Sequence, residues 1–186
     1  MIREPSMTKS LDGGFFIRHI TSLTDADIDG LAQVLVDCVA GGASVSFMSP
    51  LSIERASAFW RRVAGRVARG ECALLVGEDA DGIVGTLQLI LDLPENQPHR
   101  ADVSKMLVHR RARRQGVGAA LLREVENLAR ELGKSLLVLD TASAEAARLY
   151  AKLGWVRAGI IPDYALLPSG DFCDTTFFYR RLVAQT

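Results

Sequence analysis

Cysteine is scarce in this 186-residue chain: Cys38, Cys72 and Cys173 stand far apart, and no CxxC pair occurs. That pattern excludes a disulfide framework and a thiolate zinc site, and it suits reduced thiols in the cytoplasm. Histidine is as sparse, and His19, His99 and His109 have no ligand-spaced partners from which a metal site could be assembled. Net charge is missing too. Twenty-two Lys and Arg cancel 22 Asp and Glu, which argues against a general nucleic-acid binder, whose footprint is a basic excess over a whole face. Long apolar runs are also lacking: charges break each one before it reaches membrane-spanning length, and the opening MIREPSMTKSLDGG has no apolar core of signal-peptide length. Neither secretion nor membrane insertion is expected, and Met7 offers an alternative start.

The length suits one domain with a sizeable core. Residues 1–14 read as a polar tail with Pro5 and Gly13-Gly14, and residues 15–186 as the domain. FFIRHI predicts a strand. The next stretch predicts a helix, with Thr24 as cap, Asp25 and Asp27 in its first turn, and Gly41-Gly42 as its stop. LSIERASAFWRRVAGRVARG predicts a second helix closed by Gly70, with Trp60 as core or pocket wall. Two strands follow around Asp79-Ala80-Asp81-Gly82, then a strand over ADVSKMLV, a helix from Val117 to Leu132, the doubly buried strand SLLVLD, and a helix over SAEAARLYAKLGW. Two closing strands flank LPSGD. The order predicts a mixed α/β domain around one sheet, with at least one right-handed parallel strand-helix-strand unit.

Against the neutral background, HRRARRQGVGAALL concentrates four arginines (Arg110, Arg111, Arg113 and Arg114) at a turn with Gly116 and Gly118. Glycine lets a ligand approach the backbone and tolerates positive φ. The amides of Gln115 to Ala120 then point from a helix N-terminus, where free donors and the dipole favour an anion. Arg113 and Arg114 add donors suited to phosphate oxygens. A P-loop is excluded because no Gly-x-x-x-x-Gly-Lys occurs, and a dinucleotide fingerprint fails at Leu121.

Arg113, Gly116 and Gly118 resemble the acetyl-CoA signature of the GNAT superfamily of N-acetyltransferases, and Ala146, Leu149, Tyr150, Gly154 and Trp155 are similar to its second motif. Over HRADVSKMLV, LLVLDTAS and IIPDYALLPSGDFCDTTFFY the chain looks like the tabtoxin-resistance acetyltransferase type. One departure is Ser143, where the family often has Asn. The resemblance implies a mostly antiparallel sheet of about seven strands with a parallel pair at the cofactor cleft, and about four helices. It also implies acetyl-CoA as donor, a small-molecule amine as acceptor, and a tendency to pair as homodimers. A protein or peptide acceptor, or a non-catalytic acyl-CoA sensor, are the alternatives.

Amine acetylation needs a base, because an amine near pKa ~10 must lose a proton, and an acid for the leaving sulfur, whose thiol has pKa ~8.5. The resemblance implies Tyr150 as acid and Asp102 or Asp140 as base; Asp140 also fits a cap for the following helix. Met106, Leu107 and Val108 would bind the acetyl and pantetheine portion through backbone, with Leu107 and Val108 offered as oxyanion donors. Arg113, Arg114, Gln115, Gly116, Val117, Gly118, Ala119 and Ala120 would hold the pyrophosphate, with Ser143, Ala146 and Tyr150 nearby. His109 reads as a solvent-facing residue beside the arginines, and SVSFMSP as a loop over the acceptor.

Overall fold

The computed structural model describes residues 14–182, so all but Gly14 of the expected tail lies outside the described residues. Among the described residues seven strands form one sheet, in the order β1-β2-β3-β4-β5-β7-β6. They are β1 (Phe16–Ile20), β2 (Cys72–Asp79), β3 (Gly82–Ile90), β4 (Arg100–Val108), β5 (Leu136–Thr141), β6 (Val156–Leu166) and β7 (Phe172–Arg181). Only β4 and β5 run parallel; every other neighbouring pair is antiparallel. The described residues also form four helices: α1 (Asp25–Ala40), α2 (Ile53–Ala68), α3 (Val117–Glu131) and α4 (Ala144–Lys152). A 3-10 turn over Arg110–Ala112 precedes α3.

The apolar run of β2 is explained by helices on both faces. Leu74 and Val76 join Leu31, Leu35 and Trp60 in the core under α1 and α2, whereas Ala73 and Leu75 join Leu121, Leu122 and Val125 under α3. Alternating side chains thus feed two cores, as period-two geometry requires. Local signals set the helix ends. Thr24 accepts from the Asp27 N–H while Asp27 accepts from the Thr24 N–H, a complete capping box at α1. Gly133 carries φ +70 just beyond α3, where a left-handed residue satisfies the last carbonyls.

Two irregularities position the site. The parallel register of β4 with β5 ends at Asp102–Val138, although β5 continues to Thr141. Beyond that pair the strands part. On its other edge β4 carries a bulge: Gln88 pairs with Ser104, yet Thr86 pairs with Leu107, leaving one extra residue on β4. Lys105 lies in that extra stretch with φ +50. A bulge bends its strand and re-aims a side chain, and here it does so at the opening of the parallel pair.

Candidate active site

A cavity of about 1000 Å³ fills the opening between β4 and β5. One end is the Arg-Gly turn. Gly116 has φ +91, the left-handed backbone that glycine adopts without penalty, and it leads directly into α3. The N–H groups of Gly116, Val117, Gly118 and Ala119 have no acceptor among the described residues. The N–H of Ala120 differs from expectation, because it already donates to the Gly116 carbonyl at 3.0 Å as the first bond of the helix. Gln115 and Ala120 do not line the cavity; the Gln115 side chain instead donates to the Arg111 carbonyl at 2.9 Å. At Gly118 a Cβ would stand 3.3 Å from Leu149 Cδ2 and 3.7 Å from Met106 Sδ, so glycine keeps the passage between α3 and α4 open.

The four arginines divide into two pairs. Arg110 is held by Asp37, which accepts from both its backbone N–H, at 2.9 Å, and its guanidinium. Arg111 pairs with Asp79. Arg113 and Arg114 line the cavity, and neither has a carboxylate partner among the described residues. Arg113 is steadied by donating Nε–H to the Val108 carbonyl at 3.3 Å. His109 is not the solvent-facing residue expected: its Nδ1 accepts from the Arg111 N–H at 3.2 Å, capping the 3-10 turn, and its Nε2 lies 3.6 Å from Asp37 Oδ1. Two arginines therefore brace the turn and two remain for an anion. The free amides, the uncompensated guanidinia and the narrow passage at Gly118 fit the pyrophosphate and pantetheine arm of coenzyme A.

The middle of the cavity holds Asp140 and Tyr150. Asp140 ends the apolar run of β5, on the carboxyl side of the sheet where α/β folds bind ligands, and is exposed to the cavity. Its Oδ2 accepts from the Thr175 hydroxyl at 2.8 Å. It does not cap α4; Ser143 does, accepting from the Ala146 N–H at 3.2 Å. Tyr150 is only 4% exposed, and its ring packs on Phe178 and Trp155 at centroid separations of 5.6 and 6.1 Å. Burial, reinforced by the Asp140 charge, raises its pKa above that of an ordinary phenol, so the hydroxyl keeps its proton. No described residue, Asp140 included, hydrogen-bonds that hydroxyl.

Asp102 occupies a different place. It stands at the last paired position of β4 and β5, outside the cavity lining, with Oδ1 3.1 Å from Arg100 Nη1. Burial raises its pKa, Arg100 pulls it down, and Asp140 adds to the rise. Of the two aspartates, only Asp140 faces the space a substrate would enter.

Backbone donors on β4 follow from its pairing. His109 donates to the Val84 carbonyl at 2.8 Å, so alternation turns the N–H of Leu107 toward β3 and those of Met106 and Val108 toward the opening. Met106 and Val108 are thus the donors available to a carbonyl oxygen; Leu107 is buried.

The far end of the cavity is the loop between α1 and α2, lined by Ser44 to Met48. Ser44 Oγ donates to the Leu166 carbonyl at 3.0 Å and the Ser49 N–H to the Pro168 carbonyl at 3.2 Å, fastening the loop to the β6–β7 hairpin. Cavity residues that sequence reasoning missed include Lys105, Glu145, Thr175 and Tyr164. Burial raises the pKa of Cys38, with Arg113 opposing, and its thiol faces the Val108 carbonyl at 3.5 Å, an arrangement that suits packing and not a nucleophile.

Residues 70–157, from the start of β2 into β6 and including both glycine-bearing motifs, match the acetyltransferase (GNAT) domain. N-acetyltransferase 8 from Homo sapiens is 34% identical over 108 residues, which cover 57% of this chain and 41% of that protein. The chain spans about two fifths of that relative's length. Among solved structures, a GNAT superfamily phosphinothricin acetyltransferase from Sinorhizobium meliloti, in complex with acetyl-CoA, superposes with TM-score 0.76 at 20% identity, covering 93% of this chain and 91% of that one. Ribosomal-protein-alanine N-acetyltransferase from Brucella melitensis gives TM-score 0.74 at 25% identity, covering 89% and 99%. Likeness at these identities shows a shared fold.

Proposed function

We propose that this chain, with its GNAT acetyltransferase domain, is an acetyl-CoA-dependent N-acetyltransferase that acts on the primary amine of a small molecule. The observation that carries the reading is one continuous cavity with the amide and arginine cradle at one end, Asp140 and Tyr150 midway, and a tied-down loop at the other. Acetyl-CoA supplies an activated acetyl thioester. Asp140, oriented by Thr175, takes a proton from the incoming ammonium, directly or through water, so that the nitrogen can bond to the acetyl carbon. The N–H groups of Met106 and Val108 meet the charge that develops on the carbonyl oxygen. Tyr150 gives its retained proton to the sulfur as the C–S bond breaks, and the second proton that the acylated nitrogen sheds returns to the phenolate, directly or through water, leaving an amide and a free thiol.

A small acceptor is favoured over a peptide because the α1–α2 loop and the β6–β7 hairpin are bonded across that end of the cavity, closing the groove a chain would need. The similarity to the tabtoxin-resistance type supports the same reading. Thermal unfolding with and without acetyl-CoA tests the donor: a ligand at about 100 times its Kd adds ~2.7 kcal/mol. Replacing Arg113 and Arg114 together by alanine should weaken acetyl-CoA at least ~10-fold, since each charged hydrogen bond is worth ~1.5–3 kcal/mol. No thermal shift at millimolar acetyl-CoA would remove the donor assignment. Thiol release over a panel of small amines, against peptides with free N-termini, tests the acceptor.

A further inference from the structure

Lys105 is the one cation among the described residues that lines the cavity away from the Arg-Gly turn. Its backbone sits in the left-handed region, φ +50, inside the β4 bulge, a conformation disfavoured for a long side chain. Such an outlier persists only where the surroundings hold it. The ammonium donates to Ser46 Oγ at 3.2 Å and stands 5.8 Å from the centroid of the Phe59 ring. No carboxylate among the described residues lies within salt-bridge distance of it, so two of its three donors lack a protein acceptor. The group is half-buried, and burial lowers its pKa while Asp140 opposes the shift. Its neighbours at the loop end, Ser44, Ser46, Phe47 and Met48, carry no charge.

Resting on the N-acetyltransferase reading, we infer that Lys105 anchors a carboxylate on the acceptor, so that the substrates are amino acids or closely related amines bearing an acid group. The cavity then presents opposite charges to the two ends of a zwitterion: the carboxylate of Asp140 draws the ammonium to the reacting position, and the Lys105 ammonium fixes the acid group under the α1–α2 loop. Orientation follows, because a molecule held at both ends offers its nitrogen to the acetyl carbon in one direction. A simple amine lacks the second attachment and leaves Lys105 without an anion in a partly desolvated site.

The test uses matched acceptors, each α-amino acid beside its decarboxylated amine, with thiol release measured for the wild-type chain and for Lys105→Met and Lys105→Arg. The wild type should favour the acid-bearing member by about 10- to 100-fold in kcat/KM, as one charged hydrogen bond implies. Lys105→Met should collapse that ratio toward one and Lys105→Arg should keep part of it. An unchanged acetyl-CoA thermal shift would show that the variants are folded. Binding of N-acetyl amino acids to the coenzyme A complex, against their methyl esters, gives a readout independent of turnover: the acids should bind more tightly to the wild type and equally to Lys105→Met. If the decarboxylated amines are turned over as well as their parents, the Lys105 assignment falls and N-acetyl transfer stands. If no member of either set releases thiol and N-acetyl amino acids do not bind, both readings fall.

Discussion

Val117, the first residue of α3, rests one methyl group between two glycines of the sheet. A Cβ added at Gly77 would lie 2.9 Å from Val117 Cγ1, with Ile17 Cδ1 at 3.5 Å and Val84 Cγ2 at 4.0 Å. Carbon atoms prefer about 3.5–4.0 Å, so Gly77→Ala must push Val117 outward by roughly 0.6 Å. Gly77 has no positive φ to protect, which makes the contact the dominant effect. Overpacking of this kind costs about 1–3 kcal/mol, which for a chain of this size lowers Tm by roughly 3–10 °C. Val117 also presents one of the free N–H groups of the turn, so the same displacement should weaken acetyl-CoA binding. The rescue is Val117→Ala, which alone forfeits about 1.6 kcal/mol for two methyl groups. Combined with Gly77→Ala it removes the clash, so the two changes should be coupled by about 1 kcal/mol or more and the double variant should recover affinity. Gly85→Ala is the contrasting case: its Cβ would meet Val117 Cγ1 at 2.9 Å but also the Leu107 carbonyl oxygen at 3.1 Å, so Val117→Ala should rescue it only in part. Denaturant unfolding of all six chains, with acetyl-CoA titrations, decides the matter. Strict additivity of Gly77→Ala and Val117→Ala would refute the argument.

Tyr150→Phe removes the proton donor and leaves the ring packed on Phe178 and Trp155, so kcat should fall about 10²–10⁴-fold with little change in Tm or acetyl-CoA affinity; a loss of threefold or less would exclude the acid role. Asp140→Asn should lower kcat by a similar factor, whereas Asp102→Asn should act mainly on stability by leaving Arg100 unpaired, and steady-state kinetics beside unfolding curves separate the two. At acid pH the pair of Arg18 with Asp27 should matter: burial alone would raise the Asp27 pKa, but bonds from Arg18 and Thr24 outweigh it and hold the value below the ordinary range. Stability from a depressed carboxylate is complete above its unfolded pKa near ~3.9 and fades as pH falls through the folded value. Asp27→Asn should therefore flatten the fall of unfolding free energy below about pH 4, and unchanged pH dependence would assign that fall to other groups.

What the sequence discloses here depends on how far apart the interacting residues lie. The capping box at Thr24 and Asp27, the Asp-Gly hairpin, and the strand over Leu136 to Leu139 are decided within a few residues, so periodicity and cap chemistry predict them and the structure agrees, except that the strand is fully buried on one face only: Leu137 and Leu139 are buried, while Leu136 and Val138 are half-buried. The Arg-Gly turn is legible for the same reason. The division of its arginines is not, since Arg110 is claimed by Asp37, 73 residues earlier, and Arg111 by Asp79, 32 residues earlier. His109 is drawn to the same Asp37, which no local pattern announces. Asp102 and Asp140 look equivalent as letters ahead of apolar strands or at their ends; what distinguishes them is where the parallel register stops, a property of two strands at once. Lys105 is the extreme case. Nothing in VSKMLV marks a left-handed residue, and lysine is a poor choice for one, so its conformation must be imposed by the pairing of β3 with the splayed end of β4. A local preference overruled at the mouth of a binding cavity is where function is expected to show itself, because the fold holds a disfavoured backbone there while it aims a charge at the ligand.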